Sequence, residues 1–185
     1  MRLAVLVAVV ASALGLGGAS PIGGVELPSD GFGIEDARAF TEFPLFNAGE
    51  QVDGLQLTAI LRRDDAASFV SFVYGDCTAG DDAGCAPPVE IQVWPACRRN
   101  LHLYDSRLPG TPLPERTRVR GVPAGFFEDG LRLELQTVRS TIVVFGDSRG
   151  RVRRVAAALR ALGRPPTSAP LPPPVPGAVE GALSC

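Results

Sequence analysis

Leu55, Leu57, Ala59 and Leu61 recur at every second position over Leu55–Leu61, interleaved with Gln56, Thr58 and Ile60. Such period-two patterning predicts a strand, here closed by Arg62-Arg63-Asp64-Asp65. Ser68–Tyr74 is β-branched and aromatic and predicts a second strand; Val89, Ile91 and Val93 alternate with Glu90, Gln92 and Trp94 and predict a third. Thr117–Val122 and Gly125–Phe127 are short candidates. Leu131, Leu133 and Leu135 alternate with Arg132, Glu134 and Gln136, a strand with one wet face, whereas Thr141–Phe145 is continuously apolar, as in a strand covered on both sides. Helical spacing marks two places. Ile34–Phe40 predicts a short helix started near Asp30 or Gly33, and Ser148–Leu162 a longer one. In the longer one Val152, Val155, Ala156, Leu159 and Leu162 form a stripe, Asp147 or Ser148 caps the start, and Gly163 with Pro165 ends it. Strands followed by one amphipathic helix predict an α+β fold: an antiparallel sheet with a C-terminal helix packed on one face.

The flanks carry a different pattern. Arg2 precedes an apolar run from Leu3 to Leu16, and Gly17-Gly18-Ala19 supplies the small residues of a cleavage site. Residues 1–19 therefore read as a signal peptide. The competing reading is an uncleaved N-terminal membrane anchor, since no charge occurs from Leu3 to Gly24. Both place the domain outside the cytoplasm, secreted or membrane-anchored. Residues 20–33 read as a Gly/Pro/Ser linker, residues 34–163 as one domain, and residues 164–185 as a proline-rich disordered tail, extended and solvated. A spacer is the favoured role for that tail over a ligand for a proline-recognising domain.

Composition changes this picture little. The 185 residues are 45% hydrophobic, enough for a core, and the formal charge of −2 argues against nucleic-acid binding. Every basic side chain is arginine, which reads as GC-rich bacterial codon bias and excludes lysine chemistry such as Schiff bases and P-loops.

The chemistry concentrates between Tyr74 and Cys97, which holds three of the four cysteines and the only tryptophan. Export implies disulfides. Cys77–Cys85 is the favoured pair, closing the loop 76–88; Cys77–Cys97 and Cys85–Cys97 are alternatives, and Cys185 is free, paired with Cys97 or linked to a second chain. Thiols spaced this widely beside a single imidazole, His102, do not make a zinc site, and no Cys-x-x-Cys motif is present. Asp76, Asp81 and Asp82 lack EF-hand spacing. No metal and no cofactor is expected. Tyr74, Asp76, Trp94 and Arg98 are the candidate binding residues. Phe69, Phe72, Tyr74 and Trp94 line either a groove or the core, and Arg98-Arg99 beside Arg62-Arg63 is a candidate anion patch.

Two stretches resemble a group of uncharacterised exported bacterial proteins: Ala39-Phe40-Thr41-Glu42-Phe43-Pro44-Leu45-Phe46 with Gly49 and Gly54–Thr58, and Val73–Cys77 with Cys85-Ala86-Pro87-Pro88. Gly121–Leu162 is similar in layout to a strand-strand-strand-helix domain of unknown function found in secreted proteins and behind anti-sigma-factor membrane anchors. The resemblance implies location and fold and brings no catalytic residue. The expected function is a non-enzymatic binding or structural module of the cell envelope. Its partner would be an envelope protein or a small ligand, with no nucleic acid; oligomeric state is not legible. The alternative is a thiol-dependent enzyme using Cys97 and His102.

Overall fold

Seven long strands and the two-residue β2 join edge to edge in one sheet, neighbouring strands packing their side chains against one another. The computed structural model describes residues 31–64, 67–76, 86–101 and 113–185. Residues 1–19, read above as a leader, and most of the expected linker lie outside the described residues. Helix α1 is Ile34–Ala39. The strands are β1 Phe46–Asn47, β2 Gln51–Val52, β3 Leu55–Arg63, β4 Phe69–Tyr74, β5 Val89–Pro95, β6 Glu115–Val119, β7 Val122–Phe127, β8 Arg132–Thr137 and β9 Ser140–Gly146; helix α2 is Arg149–Ala158 and β10 is Arg160–Ala161. One sheet runs β2-β3-β4-β5-β9-β8-β7-β6, antiparallel throughout. It consists of two meanders joined where β5 pairs with β9. β1 and β10 form a separate two-stranded pair. The fold is mostly antiparallel sheet with few helices, and α2 packs on the sheet.

The helix-side core gathers Val70, Phe72 and Tyr74 from β4, Val89, Ile91 and Val93 from β5, Leu133 and Leu135 from β8, Ile142 and Val144 from β9, and Val152, Val155, Ala156 and Leu159 from the α2 region. The strict alternation expected for β3 is broken by a bulge between Leu57 and Ala59. Beyond it the inward position passes to Ile60, as an inserted residue must shift every later side chain to the other face. Thr58 sits in the bulge and its hydroxyl donates to the carbonyl of Gly75 at 2.7 Å.

Helix α2 starts where the capping pattern says: Ser148 Oγ accepts from the Arg151 amide. It ends four residues before the expected Leu162. Leu159 turns extended, and Arg160–Ala161 leaves to pair with Phe46–Asn47. The Arg120 guanidinium takes up the freed carbonyls, donating to Leu159 O and, across the chain, to Ala169 O.

The expected solvated tail is instead part of the fold. Residues 164–185 contain no helix, as the prolines dictate, yet they lie as a strap along the body. Leu171 is buried in the helix-side core and its amide donates to Arg120 O. The strap then crosses the β8–β9 turn, where Val138 N donates to Pro173 O and Val175 N to Val138 O. Val138 has φ +50°, unfavourable for a β-branched residue, and the strap occupies both of its backbone groups. Past the turn, on the opposite sheet face, Gln136 Nε2 donates to Ala178 O at 2.9 Å and Ala178 is fully buried. The face expected to be wet is therefore dry: Glu134 and Gln136 are both 0% exposed.

At the far end, Asp53 in the β2–β3 turn is held by two arginines of α2. Arg154 grips both carboxylate oxygens at 2.6 and 3.0 Å, and Arg151 Nε adds a third bond at 2.8 Å. These hydrogen bonds, Arg154 first, lower its pKa from 3.8 to about 2. A carboxylate depressed in the folded state stabilises above its unfolded value, and that contribution fades as pH falls through 3.8 toward about 2. Asp53→Asn, tolerated at φ +51°, is expected to cost about 1 kcal/mol near neutral pH, discounted for partial exposure. In urea titrations the gap between wild type and variant should close on acidification over that window; a pH-independent gap would contradict the clamp.

Candidate functional site

The turn after β5 sends three consecutive side chains to three different places. Arg98 N and Arg99 N both donate to Pro95 O, Ala96 N donates to Arg139 O, and Thr141 Oγ1 donates to Arg99 O at 2.5 Å. Ala96, Asn100 and Leu101 are buried, so the turn is anchored from below. From this base Cys97 forms a disulfide with Cys185, Cα atoms 5.3 Å apart. Arg98 points outward, exposed. Arg99 turns back over the sheet, its Nε and Nη2 donating to the two oxygens of Glu134 at 3.0 and 2.5 Å.

Glu134 is a fully buried carboxylate, and such a charge survives burial only with good partners. Arg132 Nε approaches it at 3.2 Å from the other side while also pairing with Glu128 and lying over Phe127. Along the same face runs a polar row: Ser71 Oγ donates to Glu90, Gln92 Nε2 donates to Glu90 at 2.9 Å, and Trp94 Nε1 donates to Gln92 at 3.1 Å. Trp94 is half-buried, stacked on Phe69 at 4.4 Å and covered by the Arg99 guanidinium at 5.0 Å. Local alternation gave no sign of this network, because its covers come from residues 35 and 42 positions away.

The expected binding quartet is divided. Tyr74 is core, not groove: it is 0% exposed, its hydroxyl donates to Gly49 O and accepts from Ala48 N, and burial pushes its pKa up to about 12. Phe72 is likewise core. Asp76 is exposed beyond the same strand end. Trp94 and Arg98 lie at the other end of β5, Trp94 roughly 17 Å away for five residues of strand rise. The expected arginine patch also disperses, since Arg62 pairs with Glu42 at 2.5 Å, Arg63 lies over Phe69 and Arg99 is taken by Glu134.

Arg98 does belong to a cleft. An open depression of about 290 Å³ lies beside the disulfide, walled by Phe43, Pro95 and Leu183 and edged by Ser68, Arg98 and Arg139. Glu42 also lines it, but its carboxylate is held by Arg62. Among the described residues neither Arg98 nor Arg139 has an ion-pair partner. No three His, Cys, Asp or Glu side chains converge among the described residues to hold a metal.

The cysteine expectations sort as follows. Cys97–Cys185 removes the Cys77–Cys97 and Cys85–Cys97 pairings, and Cys185 is a structural partner on a docked strap. Cys77 and Cys85, with the loop between them, lie outside the described residues, as does His102. A cysteine bound in a disulfide is no thiolate nucleophile, so Cys97 cannot serve a thiol enzyme in this state. The cross-link joins positions 88 apart; the loop-entropy account assigns about 4.5 kcal/mol to such a loop, and disulfides typically deliver about 2–4 kcal/mol. The Cys97→Ser/Cys185→Ser double variant should therefore melt about 5–15 °C lower by calorimetry; an unchanged midpoint would mean the strap holds without its clamp. Set against known proteins, the chain matches no protein family, no curated protein and no solved structure.

Proposed function

We propose that this chain is an exported, non-enzymatic binding module of the cell envelope, and that it takes an acidic peptide segment of a partner protein in the cleft beside Cys97–Cys185. The observation that carries the reading is the pairing of Arg98 and Arg139 at one cleft with apolar walls from Phe43, Pro95 and Leu183. Two guanidiniums without a carboxylate of their own favour an anionic partner, and the apolar walls favour a side chain next to that charge. The cleft is built on the end of β5 and the turn after it, the β8–β9 turn and a clamped strap, so little ordering entropy is lost on binding. Export is supported by the leader-like first residues, by the disulfide, and by the resemblance to exported bacterial proteins.

Trp94 neighbours Pro95 on the cleft wall and is the chain's only tryptophan, so its fluorescence is a built-in probe. Peptides carrying adjacent glutamate and leucine residues should perturb it saturably, and glutamine-for-glutamate versions should not. Arg98→Glu/Arg139→Glu is expected to weaken binding by about tenfold or more. Equal binding of the acidic and neutral peptides, or no effect of the double variant, would sink the proposal.

A further inference from the structure

A second cleft, at the Tyr74 end of the molecule, contains a guanidinium that the fold positions and leaves unused. β10 pairs with β1 in a register that sets Arg160 opposite Asn47. From there the Arg160 side chain lies flat against Gly49. A methyl group at position 49 would stand 1.7 Å from a guanidinium nitrogen, and Gly49 has φ +98°. The positive φ favours glycine, and its missing side chain lets the guanidinium lie directly on the backbone. The platform under the guanidinium is fixed from below: Gly49 N donates to Asn47 Oδ1 at 3.2 Å, and the buried Tyr74 hydroxyl bonds Ala48 N and Gly49 O at 3.0 Å each.

Arg160 is half-buried, yet its guanidinium makes no hydrogen bond or ion pair with any described residue. A guanidinium carries five donors in a planar fork, and those of Arg160 remain open to solvent and to a ligand. Its donors open on a cleft of about 530 Å³ lined also by Arg38, Asn47, Glu50 and Arg164. Arg38 is neutralised by Glu35 at 2.6 Å. Arg164 is exposed and unpaired among the described residues, and Glu50 is the one carboxylate on the lining. The balance leaves the cleft positive.

We propose that Arg160, assisted by Arg164, is a binding site for a small oxyanion, a carboxylate or a phosphate group, received bidentately by the Arg160 fork. This site is separate from the disulfide cleft and does not depend on the function proposed for it. The fork geometry suits two oxygens of one group, and a preformed platform spares the cost of ordering the side chain.

The test follows arginine Nε–H resonances by NMR at constant ionic strength, titrating inorganic phosphate, acetate and chloride in separate arms. The Arg160 signal should shift saturably with phosphate or acetate, with a dissociation constant of about 1 mM, and not with chloride. The tighter of the two arms identifies the source, phosphoryl or carboxylate. Arg160→Gln should abolish the response, and Arg160→Lys should weaken it by about tenfold, because the charge remains but the fork does not. Arg164→Gln, at an exposed position that cannot unfold the chain, should weaken it partially. Overlaid amide spectra establish that each variant is folded. No saturable shift in either oxyanion arm, or an equal shift at exposed Arg153, would overturn the site.

Discussion

A sheet buried on both faces must be covered on both, and the second cover here is held by one covalent bond. Helix α2 closes the apolar face in the ordinary way, with Val152, Val155, Ala156 and Leu159 as its stripe. The opposite face carries Glu134, Gln136 and the Ser71-to-Trp94 polar row, which cannot be closed by a greasy helix. It is closed by groups that answer hydrogen bonds: Arg99 from the turn after β5, and the Ala178 carbonyl from the strap. The Cys97–Cys185 bridge ties these two covers to each other. Without it the strap rests on a few hydrogen bonds and two buried side chains, Leu171 and Ala178, a thin hold against the entropy of some twenty freed residues.

Arginine is the only long cation in the chain, and the structure uses its planar fork where a lysine would not serve. Arg154 and Arg99 each grip a carboxylate with two nitrogens. Arg120 spans two carbonyls from separate segments and so couples the end of α2 to the start of the strap. Arg132 stacks on an aromatic ring while pairing with acids on both sides. Whatever genomic bias put arginine at these positions, the packing now depends on its shape. Against that background, among the described residues, the arginines without partners at the two clefts stand available to a ligand.

Five long strands, β3, β4, β5, β8 and β9, and both helices were legible because each has a local signature: alternation in β5 and β8, a continuous apolar run in β9, Ser148 at the start of α2. The β6–β7 hairpin was not, since the candidate Thr117–Val122 runs through its turn at Arg120-Gly121. The two-residue strands β1, β2 and β10 were not, since a pair of residues has no period. The failures in register and burial share one cause. The bulge at Thr58 and the burial of Glu134 and Gln136 are set by partners far along the chain, and alternation cannot tell a polar face wetted by solvent from one covered by a strap. Proline content showed that residues 164–185 form no helix but was silent on docking, which depends on Leu171, Ala178 and Cys185 finding matching positions. The candidate site was legible only in part: Arg98 reaches a cleft, Tyr74 does not, and the half-buried Arg160 gave no signal because its significance lies in Gly49, more than a hundred residues earlier.

The central claim, that the C-terminal strap is a clamped structural cover, is tested most directly by disulfide mapping. Protein purified from an oxidising compartment without reductant would be alkylated, digested under non-reducing conditions and analysed by mass spectrometry. The account predicts a linked peptide pair containing Cys97 and Cys185, leaving Cys77 and Cys85 to each other as the only remaining cysteines. An alkylated Cys185, or Cys97 joined to Cys77 or Cys85, would contradict it and return the strap to solvent.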